Sequence, residues 1–158
     1  MSQTKKIKSP AGKLFEASDS GKIFLDKEGG WFHEGVEITH KKTVELFSKS
    51  VIKDPAGGYR LQIGKESAKI IVEDTPYLVR MVELSQDKII IQLNDRSTET
   101  LDPQTLWIGK HNVLYARVKK QQFPARFLRP AYYQMMNSLE QDETGFYLRI
   151  GNQRWQLK

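Results

Sequence analysis

Between Phe123 and Met136 the chain reads FPARFLRPAYYQMM, its densest run of residues able to do chemistry. Arg126 and Arg129 precede Pro130, whose fixed φ suits the first turn of a helix, where a missing N–H is no loss. Two guanidiniums at a helix N-terminus suit an anion. Arginine's planar fork matches phosphate oxygens, and the helix end adds partial positive charge. Tyr132 would present its ring or hydroxyl to the same ligand. The residue before a proline is biased toward extended geometry, which turns Arg126 and Arg129 apart and makes Arg117, on the preceding strand, the companion of whichever one faces the ligand. The same stretch also suits a structural role, with Phe127, Tyr133 and Met136 packed inward and the arginines in surface ion pairs.

Other candidates are scattered. Glu66, Glu73, Asp74 and His33 have the chemistry for acid–base catalysis but no recognisable partner spacing, so a hydrolase using Glu66 or Glu73 is an alternative only. Asn94, in Asn94-Asp95-Arg96, suits a base edge or a ribose, and equally an ordinary loop. Trp31 and Trp107 suit stacking on a purine or anchoring a core. The chain has no nucleophile elbow, Walker loop or dinucleotide fingerprint, and Gly29-Gly30 and Gly57-Gly58 read as turn glycines. No cofactor is implied. Three histidines without metal-ligand spacing and zero cysteines disfavour a metal site and exclude disulfides. A non-enzymatic module is expected.

The 158 residues, 39% of them hydrophobic, can bury a sizeable core without staples. Of the net charge of +6, residues 1–15 carry four units, at Lys5, Lys6, Lys8 and Lys13, with no acid before Glu16. Residues 1–20 therefore read as a basic tail, and the body is too nearly neutral for sequence-specific nucleic-acid binding. With no signal-like or membrane-spanning apolar run, the expectation is a cytoplasmic protein that does not insert into membranes.

The elements that must position these residues are mostly strands. A short strand at 22–25 and a hairpin around Glu34-Gly35 lead to a helix at 39–50, with Thr39 as its N-cap and Val44, Phe47 and Val51 on one face. Period-two alternation predicts hairpins over 59–73 and 77–93, further strands at 106–108 and 113–118, and a second helix at 130–139. Gly145–Gly151 repeats the pattern of Gly58–Gly64 at an offset of 87 residues. The fold class is thus α+β, mostly antiparallel β, with two small related halves, 21–76 and 77–158, each carrying one helix.

Taken in order, Trp31 with Gly35, Gly58-Tyr59 with Leu61, Glu66, Val72-Glu73-Asp74 with Pro76, Asn94, Arg117, Ala125-Arg126-Phe127 with Arg129, Tyr132-Tyr133 and Gly145 resemble a bacterial family known as domain-of-unknown-function family 1285. The resemblance implies a β-rich fold with duplicated motifs, its C-terminal half similar to a pleckstrin-homology domain. It also implies a nucleotide-like ligand held between the halves in a signalling role. On that reading Arg117, Arg126, Arg129, Tyr132, Glu66, Glu73, Asn94 and Trp31 are the site residues. The family tends to carry Thr-Pro-Val before the glutamate matching Glu66, where this chain has Gly64-Lys65. The alternative is a protein-interaction scaffold without a ligand, and a protein partner is compatible with either.

Overall fold

A computed structural model describes residues 21–157; the basic tail expected at 1–20 lies outside the described residues. The chain divides into two units, Met1–Pro76 and Tyr77–Lys158.

In the first unit, β1 (Ile23–Leu25), β2 (Trp31–His33) and β3 (Val36–Glu37) form a meander. Glu34 and Gly35, at φ 50° and 82°, make its two-residue turn, whose twist matches that of paired strands. Helix α1 (Lys41–Lys49) follows, and then β4 (Val51–Lys53), β5 (Tyr59–Ile63) and β6 (Glu66–Val72). The sheet order is β3-β2-β1-β6-β5-β4, with β1 and β6 parallel at the centre and the other pairs antiparallel. The cap of α1 is His40, not Thr39: its Nδ1 accepts the Thr43 N–H at 3.3 Å. The helix also stops before Val51, which opposes Leu61 as the first residue of β4. Val44, Phe47 and Val51 kept a helical period only because Val51 reaches the same core from a strand. That core centres on Trp31 and Phe47, whose rings meet edge to face at 5.5 Å. Such a pair adds about 0.5–1.5 kcal/mol beyond burial of area.

The second unit repeats the plan. Strands β7 (Tyr77–Leu84), β8 (Ile89–Leu93) and β9 (Thr98–Thr100) form one meander, and β10 (Trp107–Ile108), β11 (Leu114–Val118) and β12 (Phe123–Phe127) form the other. The order β10-β11-β12-β7-β8-β9, again with a central parallel pair, β12 and β7, is that of the first sheet with six added to each number. A 3₁₀ turn at Pro103–Thr105 occupies the place of α1. Helix α2 (Arg129–Met136) then packs Ala131 and Met135 into the core, and β13 (Leu139–Asp142), β14 (Gly145–Ile150) and β15 (Gln153–Gln156) make a separate three-stranded sheet.

Two related halves, each with one helix, are therefore present among the described residues, but not in the register of the glycine repeat. Gly58–Gly64 brackets β5, whereas Gly145–Gly151 brackets β14, the middle of the small sheet. The topological partner of β5 is β11. Alternating residues between turn glycines recur in any hairpin, so the two segments match without being equivalent. A second difference concerns 123–127, a strand where the alternation predicted none beyond 113–118. Its pairing with β7 begins at Ala125, one residue after Pro124, so the proline lies outside that ladder.

Candidate functional site

In β11 and β12, Leu114, Ala116, Val118, Ala125 and Phe127 are buried in the core of the second unit. Side chains alternate across a sheet, so Tyr115, Arg117 and Arg126 share the opposite face. The register sets Tyr115 against Arg126 and Arg117 against Pro124, making Arg117 and Arg126 diagonal neighbours, about 7–8 Å apart at their Cα atoms by ordinary sheet geometry. On β10, Trp107 opposes Tyr115, and the two rings stack with centroids 5.1 Å apart and planes 14° from parallel. Gly109 makes room for this stack: a Cβ there would lie 2.7 Å from Cε2 of Tyr115.

Beside the stack is a cavity of about 490 Å³ lined by Trp107, Arg117, Asp102, Gln104, Thr105 and their neighbours. Arg117 donates from Nε to the Gln121 carbonyl at 2.9 Å, while its Nη groups make no hydrogen bond among the described residues. The side-chain amide of Gln104 is likewise uncommitted. Asp102 accepts the Gln104 N–H at 3.0 Å and the Gln121 Nε2 at 2.6 Å. One wall thus offers a guanidinium held by one nitrogen, a flat aromatic ring and an amide.

The turn that ends at Gln121 is strained. Lys119, Lys120 and Gln121 all have φ between 56° and 64°, the left-handed region that costs a non-glycine residue about 1–2 kcal/mol. Several contacts hold them there. Both carboxylate oxygens of Glu99 accept the Lys119 N–H at 3.2 Å, and Lys119 Nζ donates to Asp95 at 2.7 Å and to Ser97 at 3.0 Å. Burial of Asp95 opposes its ionisation, but the bonds from Lys119 and Ser97 outweigh it and hold the carboxyl below its ordinary range. Tyr77, whose ring lies 5.2 Å from Lys119 Nζ, is pushed up to about 12 by burial and then by the Asp95 and Glu99 carboxylates.

Of the residues singled out in the sequence, Arg117 and Arg126 come together. Arg129 is the first residue of α2, exposed and with no hydrogen bond or ion pair among the described residues. Tyr132 packs from α2 against the core, on the other side of the sheet from Arg117 and Arg126, so the geometry does not gather these four around one ligand. Asn94 continues the β7 ladder, its Oδ1 accepting the Leu78 N–H at 3.1 Å, and leaves a buried Nδ2 without a partner among the described residues. In the first unit, Trp31 is 1% exposed and donates from Nε1 to Ser48, which leaves no ring face for a ligand. Glu73 accepts the Lys27 N–H at 2.8 Å, and Glu66 opens β6, seven residues away. Sequence reasoning missed Gln104, Asp102 and Gln121, which carry no motif; Trp107 was visible as a stacking candidate.

Among the described residues no group of three or more histidines, cysteines or acids is placed to hold a metal ion, and no helix is long and apolar enough to cross a membrane. No family profile matches the chain, and no curated protein does. Solved structures do. A DUF1285 family protein from Silicibacter pomeroyi DSS-3 superposes with a TM-score of 0.71 at 20% identity, over 95% of this chain and 88% of that one. Its fold is that of DUF1285 proteins. A second DUF1285 family protein, from Shewanella baltica OS155, gives a TM-score of 0.61 at 18% identity, over 75% of this chain and 92% of its own. The resemblance read from Trp31 through Gly145 thus holds for the DUF1285 fold.

Proposed function

We propose that this chain is a non-enzymatic binding module in a signalling role, and that its second unit holds a small anionic, nucleotide-like ligand. The observation that carries the reading is Arg117, fixed through Nε with its Nη pair uncommitted, beside the stacked Trp107 in a cavity of about 490 Å³. That volume is within the range of small-ligand sites, about 300–1,000 Å³. A guanidinium anchored on one side loses little further freedom when it grips a phosphate, and Arg126 adds positive charge on the same face. The alternative, a hydrolase using Glu66 or Glu73, has less support: both lie in the first unit, and Glu73 already accepts the Lys27 N–H.

Calorimetric titration with a panel of nucleotides and second messengers tests this. Micromolar binding is expected, and Arg117→Ala should weaken it about ten- to a hundredfold, the worth of a charge-assisted hydrogen bond. Arg117→Lys should restore only part, because a point charge lacks the fork. Silence across the panel would instead favour a protein-interaction scaffold of pleckstrin-homology-like architecture, and turnover of any compound would favour an enzyme.

A further inference from the structure

We infer that the ligand of this cavity carries a single phosphate, as a nucleoside monophosphate or a cyclic mononucleotide does, and that diphosphates and triphosphates are selected against. The inference rests on the binding reading above and adds the charge class. The lining holds one guanidinium, Arg117, and one carboxylate, Asp102, so its formal charge is near zero. A cyclic diester on the Arg117 Nη groups brings one charge, which that guanidinium matches, and a monoester, close to a dianion at pH 7, brings up to two. A di- or triphosphate would carry about one or two charges more than the monoester, with no second cation in the lining to meet them and with Asp102 to repel them; Arg126, on the same face, lies outside the lining.

The rest of the lining suits the remainder of a mononucleotide. One face of Trp107 is occupied by Tyr115, and Trp107 also lines the cavity, so a base would stack on what the Tyr115 contact leaves uncovered. The Gln104 amide both donates and accepts, as the edge of a purine or pyrimidine requires. Each Asp102 oxygen already accepts one bond from Gln104 or Gln121 and has capacity for a ribose hydroxyl.

The test is calorimetry on the full chain with adenosine, its 5′-mono-, di- and triphosphates, the 3′,5′-cyclic monophosphate, the guanosine counterparts and ribose 5-phosphate. A monophosphate should bind at least tenfold more tightly than the matching triphosphate. Asp102→Asn, which keeps an acceptor for the Gln104 N–H, should narrow that gap severalfold by strengthening triphosphate binding. Gln104→Ala should flatten the preference between bases and leave ribose 5-phosphate unchanged. Thermal midpoints verify that each variant is folded. A triphosphate that binds as tightly as the monophosphate, with Arg117→Ala weakening both, would overturn this inference and leave the binding reading standing. Absence of heat with every probe, or binding indifferent to Arg117→Ala, would remove both.

Discussion

At the scale of single residues, the same side-chain chemistry serves opposite ends in the two units. Trp31 and Trp107 are both aromatic residues of short strands, yet one is sealed into a core and the other borders a cavity. Replacing Trp31 or the 3%-exposed Phe127 by Ala should cost about 3–5 kcal/mol in chemical denaturation, the range for large buried aromatics. Unchanged midpoints would contradict their core placement. Tyr77 carries a pH prediction. Its phenol is raised to about 12, chiefly by burial, so the folded state favours the neutral form. Its contribution to stability is complete below the ordinary tyrosine value near pH 10 and is lost as pH rises toward 12. Tyr77 should therefore be among the last of the six tyrosines to lose its proton in an ultraviolet titration, and Tyr77→Phe should remove its share of that late step. If every phenol titrates near pH 10, the placement is refuted.

At the scale of elements, the turn Lys119–Gln121 matters most. It carries the carbonyl that holds Arg117 and the amide that holds Asp102, so its left-handed shape sets the mouth of the cavity. Lys120 has φ 58° and an exposed side chain without a described partner, so Lys120→Gly should relieve strain and stabilise the protein by up to about 1 kcal/mol, roughly 2–4 °C in the thermal midpoint. A lower midpoint would mean that the turn is not strained. Asp95→Asn acts in the opposite direction. It removes the partner of Lys119 and should cost about 1–3 kcal/mol by denaturant titration at neutral pH. Because the Asp95 carboxyl is held below its ordinary range, the difference from wild type should persist above about pH 4 and shrink as pH falls through the lowered value.

At the scale of the whole molecule, two six-stranded sheets repeat one topology, and each has its own buried cluster. The central parallel pairs, β1 with β6 and β7 with β12, join strands far apart in sequence, and so form only when each unit is complete. Hydrogen exchange should accordingly show two maxima of protection, one at each parallel pair, while β13–β15, a small sheet with exposed outer strands, exchanges earlier. A single maximum confined to one unit would show that the two cores are not equivalent in stability.

Local chemistry in the sequence determined much of this. Alternation at Tyr59–Ile63 and Leu114–Val118 decides which face of each strand is buried, and Glu34-Gly35 imposes its hairpin, because both effects act over a few residues. The arginines at 117 and 126 and the tryptophan at 107 were legible as candidates for the same reason. What only tertiary structure decided is how distant segments meet. Phe123–Phe127 becomes a central strand because β7 and β11 flank it, which no local signal around Pro124 announces. That strand turns Arg126 to one face of the sheet and leaves Tyr132 on the other, separating residues that are six apart in sequence. Lys119–Gln121 takes a left-handed path that its residue types disfavour, because Asp95, Glu99 and Asp102 arrive from other elements to hold it. The cavity beside Trp107 exists through those long-range contacts, whose free energy exceeds the local preferences they override.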